Sequence, residues 1–537
     1  MLREFHSNAS ERDAVPSMTA SIARIAGNTF ASRVLGFVRD LVIARLFGAD
    51  TATDAFFVAF KIPNFMRRLF AEGVFSLALV PVLTEYKSER PFAELKLLVD
   101  RIAGTLGLVL IIATALGLVS APLLLILFAP GFMNDPGQAE LAAEMLRITI
   151  PYLSLIALTA FAGAILGTYE RFGIPAFTPA LLNLSLIACA LWLAPTMERP
   201  ILALAWGVLI GGALQLALQL PFLARLGLLP RPRLAPRDAG VKRVGRQMAP
   251  ALLGASVTQI NLLIDTLLAS FLVSGSISWL YYSDRLVELP LGLLGVAIGT
   301  VILPRLSRYH TLSSPHALSQ TLDKALRWVL LLGLPATVGL IVLAKPLLAT
   351  LFYSGEFGAH EVEMASRSLV AYAAGLVAFM AIKVLVTAFY ARLETRTPVR
   401  IAAIAMLANI VLSLALMGPL GHAGLALATS LAATVNAGLL LQRLLDTGTY
   451  RPEPGWRALL LKGIGATLLT ATVVHLGAGP ISDWLAWDAW RRAGALAIWI
   501  GVGALIYTAT LLALGIRLGE LIPATETQRR KDCADKG

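Results

Sequence analysis

The sequence predicts an all-helical membrane protein with about fourteen transmembrane helices, since each crossing needs about 20 consecutive apolar residues. Of its 537 residues, 57% are hydrophobic and 15% are charged, and the mean hydropathy is +0.74. Soluble domains carry about 25% charged residues. Long apolar stretches recur throughout the chain, separated by short polar connectors, so a soluble fold would have almost no surface.

The predicted spans follow these apolar stretches from end to end. Their ranges are 22–47, 54–85, 100–128, 146–168, 174–195, 201–224, 247–273, 278–304, 327–352, 368–391, 399–417, 423–442, 458–476 and 493–515. Pro63 is expected to break or kink the second span. Residues 1–17 lack the apolar core of a signal peptide, and Met18 is an alternative start.

Basic residues are distributed unequally between alternate connectors. The connectors on the side of the N-terminus hold 23 Lys and Arg, and the opposite connectors hold five. Cytoplasmic connectors carry such an excess, so both termini are predicted to be cytoplasmic. The net charge of +12 has the same origin, and nucleic-acid binding is not expected. The most basic connector, 225–246, either sets the orientation or contacts anionic lipid.

An internal repeat divides the first twelve spans into two sets of six. LVPVLTEY at 79–86 recurs as ILPRLSRY at 302–309, and LALA at 202–205 recurs at 425–428, so both segments return at the same spacing. Because six is even, both sets insert with the same orientation, related by a pseudo-two-fold axis along the membrane normal. The predicted organisation is an N-terminal extension (1–21), a six-helix lobe (22–224), a basic linker (225–246), a second six-helix lobe (247–442), two extra transmembrane helices (443–516) and a tail (517–537).

Charged side chains occupy the helices that begin each lobe. The first span contains Arg33, Arg39 and Asp40. The second contains Asp54, Lys61, Asn64, Arg67, Arg68 and Glu72, and the eighth contains Asp284, Arg285 and Glu288. A charge at the centre of a bilayer costs about 2.5–3.5 kcal/mol, so the six deepest charges of the first two spans would cost on the order of 15–20 kcal/mol against lipid. They are predicted to face a hydrated cavity or one another.

Cations outnumber acids in the first two spans, which favours an anionic ligand. Asp40, Asp54 and Glu72 can neutralise part of the set, and internal ion pairing is the alternative to a ligand site. A cationic surplus remains, and arginine binds phosphate through two parallel hydrogen bonds. We therefore expect a cavity for an anionic ligand that contains phosphate.

Patterns of metal-binding or enzymatic residues are absent from the sequence. The two cysteines, Cys189 and Cys533, form no C-x-x-C pair, and the six histidines show no helical H-x-x-x-H spacing, so no metal site or cofactor is predicted. Walker A and G-x-S-x-G motifs do not occur. The protein is predicted to be a transporter rather than an enzyme.

Three segments closely resemble the MurJ (MviN) family of lipid II flippases, part of the multidrug/oligosaccharidyl-lipid/polysaccharide exporter superfamily. They are SRVLGFVRD (32–40), ATDAFFVAFKIPNFMRRLFAEGVFSLALVPVLTEY (52–86) and SWLYYSDRLVELPLGLLGVAIGT (278–300). The resemblance implies a multi-pass protein of the bacterial inner membrane with a V-shaped central cavity. It also implies that lipid II, the undecaprenyl-pyrophosphate-linked peptidoglycan precursor, moves from the inner to the outer leaflet. The extra helices would form a groove for the lipid tail.

The resemblance also implies roles for single residues. It matches the family's cavity arginines to Arg33, Arg39, Arg67 and Arg68, its functionally important aspartate to Asp54, and its eighth-helix pair to Arg285 and Glu288. With Lys61 and Asn64, these arginines form the predicted substrate site. The predicted gating or ion-pairing residues are Asp40, Asp54, Glu72, Asp284 and Glu288, of which Asp54 and Glu288 are expected to pair with arginines.

The predicted mechanism is alternating access by a monomer surrounded by membrane lipids. Its energy source is left open between the membrane potential and a gradient of Na⁺ or H⁺. Two alternatives also stay open. A flippase for another undecaprenyl-linked glycan shares the pyrophosphate chemistry, whereas a drug or cation antiporter of the same superfamily would favour acids in its cavity.

Overall fold

The computed structural model describes residues 18–69, 75–312 and 314–516, and it is built from α-helices. Before the basic linker, the helices are α1 (Met18–Phe47), α2 (Thr51–Leu69), α3 (Phe75–Glu89), α4 (Phe92–Val119), α5 (Ala121–Phe128), α6 (Pro136–Thr149), α7 (Tyr152–Thr168), α8 (Gly173–Ala188) and α9 (Leu202–Arg225). After it, they are α10 (Ala239–Ala269), α11 (Ser276–Pro290), α12 (Val296–Thr311), α13 (Pro315–Val342), α14 (Ala344–Leu351), α15 (Ala359–Ala373), α16 (Leu376–Tyr390), α17 (Arg396–Leu420), α18 (His422–Asp446), α19 (Trp456–Ala478), α20 (Ile481–Ala486) and α21 (Ala489–Ala513).

Many of these helices are long and apolar enough to cross a membrane. Within the described ranges nine segments meet that condition, and the pair α15 and α16, bent by 40°, brings the number to ten. Every predicted span overlaps at least one helix. The prediction of an all-helical polytopic membrane protein is therefore confirmed.

Several predicted boundaries are wrong in detail. The second predicted span, 54–85, is divided between α2 and α3. The chain between the predicted spans 278–304 and 327–352 is largely helical, because α12 continues to Thr311 and α13 begins at Pro315. Pro63 does not end α2, which continues to Leu69. Proline inside a membrane helix is tolerated where neighbouring groups satisfy the freed carbonyl.

The described chain forms two compact units. The first contains the residues up to Ile43 together with Ala55–Phe128 and Met133–Ile260. Its main apolar core joins α3, α4 and α7, with Leu79, Leu98 and Phe161 fully buried. Their side chains lie on helix faces that pack against one another, which is what removes them from contact with lipid or water.

The second unit contains Ala44–Asp54, Ala129–Phe132 and the residues from Asn261 onwards. Two short segments from early in the chain thus belong to the unit that is otherwise formed by its later half. Within this unit α19 and α21 pack on α13 through a small apolar cluster of Leu331, Leu459, Ala466, Tyr507 and Leu511.

Small residues bring α8 close to its neighbours in the first unit. Gly207 and Gly211 of α9 face α8 so closely that a Cβ at Gly211 would lie 2.8 Å from the Cδ1 of Leu182. On α1, a Cβ at Gly36 would lie 3.4 Å from the amide nitrogen of Asn183. This close approach places Asn183 beside the charged residues of α1.

Candidate functional site

Arg39 and Asp40 form a buried ion pair on α1. The Nη2 and Nε atoms of Arg39 donate to Asp40 Oδ1 at 2.6 and 3.0 Å, and Nη1 donates to Asn183 Oδ1 at 3.0 Å. Arg39 is 7% exposed and Asp40 is 2% exposed. Asn183 in turn donates to the carbonyl oxygen of Ser32 at 3.1 Å. Ion pairing of Asp40 was predicted, and its partner is its sequence neighbour.

The other predicted cations of the first two helices are less enclosed. Arg33 is exposed on α1 and makes no hydrogen bond or ion pair with a described residue. Lys61 and Asn64 lie half-buried on α2. The side chains of Arg67 and Arg68, and the whole of Glu72, lie outside the part of the chain that the structure describes. Arg33 is therefore the arginine of the predicted substrate site that is accessible among the described side chains of α1.

Asp54 bonds to the beginning of another helix. Its Oδ2 accepts from the backbone N–H of Gly275 at 2.8 Å, and its Oδ1 accepts from the N–H and the hydroxyl of Ser278 at 2.8 and 2.5 Å. The carboxylate is 2% exposed. The partners of Asp54 here are amide groups and a hydroxyl rather than an arginine, and its predicted gating role stays a prediction.

The geometry of this contact follows from the end of α11. The first amides of a helix have no partner within it, and the helix dipole makes this end attractive to anions. Gly275 precedes α11 with a φ of 90°, a conformation that favours glycine, and provides no side-chain cap of its own. Asp54 supplies the missing acceptor from a much earlier part of the chain.

Further contacts hold the segment 44–54 in the second unit. The hydroxyls of Thr51 and Ser274 lie 2.6 Å apart, and Tyr282 donates its hydroxyl to the carbonyl oxygen of Gly48 at 3.3 Å. Arg45 donates Nη2 to the carbonyl oxygen of Leu351 at 3.1 Å. The Asp54 cap is thus one of several polar contacts across this short segment.

The charged residues of α11 form a more exposed group. Arg285 donates Nη1 to Glu288 Oε2 at 2.6 Å and Nη2 to the hydroxyl of Tyr281 at 3.2 Å, and its guanidinium lies 4.9 Å from the centre of the Tyr281 ring. Glu288 is 44% exposed at its side chain. Asp284 is also exposed. Arg285 and Glu288 thus pair within one helix, and the predicted gating role of Glu288 stays a prediction.

Sequence reasoning did not single out Asn183, Ser278 or Asn409 as site residues. Asn183 bonds to Arg39, Ser278 bonds to Asp54, and Asn409 donates to Asp265 Oδ1 at 2.8 Å. A polar residue inside an apolar span was the available signal for Asn183 and Asn409. In the described residues, no three His, Cys, Asp or Glu side chains are grouped so that they could hold a metal ion.

Comparison with known proteins assigns the chain to a family. The family model described as "Lipid II flippase MurJ" matches residues 43–488, which is most of the chain. The chain belongs to the MurJ family of lipid II flippases. Its members are transporters rather than enzymes, and the family together with the apolar helices indicates the bacterial inner membrane.

Relatives and solved structures agree with this assignment. The "Probable lipid II flippase MurJ" of Vibrio cholerae is 47% identical over 94% of this chain and 97% of its own length. The "Lipid II flippase MurJ" of Burkholderia cenocepacia is 42% identical over 85% of this chain and 89% of its own. A structure titled "Lipid II flippase MurJ, inward closed conformation" matches with a TM-score of 0.76 at 28% identity, covering 90% of this chain and 97% of that one.

The fold is also shared with a more distant transporter. An inward-facing MATE family transporter of the MOP superfamily matches with a TM-score of 0.63 at 15% identity, covering 80% of this chain and 98% of that one. At this identity the likeness shows a common fold. It carries no information about the ligand.

Proposed function

We propose that this protein moves lipid II from the inner to the outer leaflet of the cytoplasmic membrane by alternating access. Family membership supports the substrate, since the relatives are named for lipid II. The observation that carries the mechanism is the cationic character of α1 and α2. Arg33 lies exposed on α1, which we take as the first membrane span, where contact with lipid would cost about 2.5–3.5 kcal/mol, so we infer a hydrated cavity beside it.

In this proposal the pyrophosphate and the sugar-peptide head of the substrate occupy a central cationic cavity. Arg33, Arg39 and Arg285 would line it, together with Lys61, Asn64, Arg67 and Arg68. Guanidinium groups suit a pyrophosphate because each can donate two parallel hydrogen bonds. Arg39 and Arg285 already carry acidic partners, Asp40 and Glu288. We therefore assign the first contact with the substrate to Arg33.

The two-lobe arrangement belongs to the same proposal, with about fourteen spans, lobes at 22–224 and 247–442, and cytoplasmic termini. Support comes from Thr51 and Ser274, which are 223 residues apart and bond to each other. This spacing is that of the internal repeat. Equivalent residues that touch each other must lie on the axis that relates them, so the pair is expected for a pseudo-two-fold arrangement.

Gating would involve the segment 44–54. Asp54 joins this segment, which enters the second unit from the first helices of the chain, to α11. We infer that its bonds break when the outward side opens. The helices α19 and α21 would hold the lipid tail, and the membrane potential or an ion gradient would drive the cycle. The functional form would be a monomer.

The proposal is tested in a bacterial strain depleted of its own lipid II flippase. Expression of this protein should restore access of lipid II to a lipid II-cleaving enzyme added outside the cell. The variant Arg33→Ala should lose most of this activity, because the proposed first contact with the pyrophosphate is gone. Accumulation of a different lipid-linked glycan would instead favour the alternative flippase function.

A matched control distinguishes the site from a general loss of charge. Arg199 is an exposed arginine between α8 and α9 that pairs with Glu144 at 3.2 Å. The variant Arg199→Ala should retain activity at equal membrane abundance. Equal activity of Arg33→Ala and Arg199→Ala would contradict the assignment of Arg33.

A further inference from the structure

Two connecting segments, each of which follows the last helix of a six-span set, are held by equivalent pairs of hydrogen bonds. The first exit segment, 226–238, joins α9 to α10, and the second exit segment, 447–455, joins α18 to α19. In the first, Lys96 of α4 donates Nζ to the carbonyl oxygen of Leu229 at 2.9 Å. Asp100, one turn further along α4, accepts at Oδ1 from the N–H of Arg231 at 2.7 Å.

The second exit segment repeats this arrangement on α13. Ser319 donates its hydroxyl to the carbonyl oxygen of Arg451 at 3.1 Å. Asp323, again one turn further, accepts at Oδ1 from the N–H of Glu453 at 3.1 Å. Asp100 and Asp323 are both buried, at 4% and 1% exposure.

The internal repeat relates the two sets of contacts. Lys96 and Ser319 are separated by the spacing of the repeat, and so are Asp100 and Asp323. Their backbone partners in the two exit segments are separated by that spacing less a single position. The repeat was recognised from other segments of the sequence, so this agreement is independent of it. A buried aspartate on the helix of the third predicted span of each set, α4 or α13, is thus a repeated anchor for the exit segment.

The second anchor binds more groups than the first. Asp323 also accepts from the hydroxyl of Tyr450 at 2.8 Å and from Nε1 of Trp456 at 2.7 Å, and its Oδ2 accepts from Nε of Arg327 at 2.6 Å. Tyr450 lies outside the membrane-spanning helices, and burial, with the bond to Asp323, raises its pKa above the usual value. Its hydroxyl therefore stays protonated and able to donate.

Arg327 extends this anchor towards α19. Its Nη2 donates to the carbonyl oxygens of Glu453 and Pro454 at 3.2 and 2.8 Å, and its guanidinium lies 5.4 Å from the ring centre of Trp456. The equivalent position in the first set is Gly104, where the backbone of Arg233 approaches so closely that a Cβ could not fit. The two anchors thus differ at this position. Only the second anchor contacts α19, a helix that has no counterpart in the first set.

Trp456 is the first residue of α19, so the anchor acts on the extra helices. These helices rest on α13 through their apolar cluster and through Tyr507, which donates its hydroxyl to the carbonyl oxygen of Leu331 at 2.7 Å. At their other end, Arg492 of α21 donates to the carbonyl oxygens of Ala349 and Tyr353 at 2.7 and 3.1 Å. The beginning of α19 is held by Asp323.

We propose that Asp323 is a positioning residue for long-chain lipid substrates: through Trp456 it fixes α19 against α13 and so shapes the surface that receives the polyprenyl tail. The inference rests on the proposed function, because it takes the lipid as substrate. It assigns tail-length selectivity to one of two repeat-related aspartates. Asp100, which holds no extra helix, has no part in that selectivity.

The experiment compares Trp456→Phe, Asp323→Asn and Asp100→Asn in liposomes. Trp456→Phe keeps an aromatic ring but removes the N–H that Asp323 accepts, and it disturbs the fold least. Flipping is measured for lipid II with its natural long tail and for an analogue with a short tail. We expect Trp456→Phe to raise KM for the long-tail substrate about fivefold, which corresponds to a lost buried hydrogen bond, without changing kcat or the short-tail KM. Asp323→Asn alters more than one bond and should raise the same KM at least as much.

The repeat-related control should behave differently. Asp100→Asn should change both substrates equally or neither, so that its ratio of long-tail to short-tail KM equals that of the unaltered protein. An equal effect of Trp456→Phe on both tail lengths, or no effect on either, overturns the proposal. So does a loss of selectivity in Asp100→Asn.

A binding measurement separates this inference from the proposed function. The unaltered protein should be thermally stabilised more by undecaprenyl phosphate than by a short-chain polyprenyl phosphate, and Trp456→Phe should remove the difference. If lipid II is not flipped but this difference is present and depends on Trp456, the proposed function fails and the anchor stands. If the difference is absent in the unaltered protein, the anchor proposal fails.

Discussion

Arg39 and Asp54 are both deeply buried charged residues, and the structure neutralises them in different ways. Arg39 bonds to Asp40, its neighbour on α1, and to Asn183. Asp54 bonds to amide groups at the beginning of α11, in a much later part of the chain. A pair on one helix moves with that helix, whereas a bond between distant segments exists only while they adjoin. The comparison separates an ion pair within one helix from a contact between segments that lie far apart in the chain.

The largest change in the contact between distant segments is expected from Asp54→Ala. Removing the carboxylate leaves the amides of Gly275 and Ser278 without their acceptor. The contact then loses about 1–3 kcal/mol, which changes the balance between the bonded and separated states by roughly 5- to 150-fold. The balance can be read from disulfide formation in a Thr51→Cys, Ser274→Cys variant, since the two hydroxyls lie 2.6 Å apart. The disulfide yield should fall strongly.

Two further variants test this result. In every variant Cys189 and Cys533 are replaced by serine, so that only the introduced cysteines can form the disulfide. Asp50, which immediately precedes α2, accepts from the N–H of Thr53 at 2.9 Å, so Asp50→Ala removes a cap without separating two segments, and the yield should hold. Ser278→Ala removes one of three donors and should fall between the extremes. An unchanged yield in Asp54→Ala would show that the other contacts of segment 44–54 suffice.

Asp40→Asn tests the pair within α1, and its effect is expected on stability rather than on the contact between segments. Arg39 would remain charged and buried with Asn183 as its remaining acceptor among the named partners, and breaking a buried pair costs about 3–5 kcal/mol. Thermal unfolding in detergent should show a clear loss of stability, while the disulfide yield at positions 51 and 274 of the folded fraction should stay unchanged.

The double variant Arg39→Gln, Asp40→Asn distinguishes structure from substrate binding. Without any charge to bury, the protein should regain much of its stability. Flipping should not recover if Arg39 also binds the substrate. Full recovery of both would assign this pair to stability alone.

The smallest effect is expected from Glu288→Gln on α11. The pair with Arg285 is partly exposed, and such pairs contribute about 0–1 kcal/mol, so the unfolding temperature should barely change. Flipping should change by up to about fivefold if the released Arg285 becomes available to the substrate. The matched variant Glu144→Gln frees Arg199 from a similarly exposed pair and should leave flipping unaltered. If Glu288→Gln and Glu144→Gln flip lipid II at the same rate, Glu288 has no role in gating.

The sequence allowed the helices to be predicted because apolar stretches carry their signal locally. The ion pair of Arg39 and Asp40 was also within reach, since the residues adjoin. The partners of Asp54 could not be predicted from the sequence. Every residue type except proline has a backbone N–H, so the residue types do not identify the donor, and these donors lie far along the chain. Helix ends such as Thr311 and Pro315 were missed because charged helical turns beyond an apolar stretch read as connectors.

The hydroxyl pair of Thr51 and Ser274 has a consequence for how the two halves of the chain can diverge. Positions that a repeat makes equivalent, and that bond to each other, begin as identical side chains, so that side chain must be able to bond to a copy of itself. A hydroxyl both donates and accepts, so it can face another hydroxyl. Two carboxylates or two ammonium groups there would repel each other. In a single chain the two positions can change separately, so they need only remain complementary to each other, whereas in an isologous homodimer every change meets its own copy.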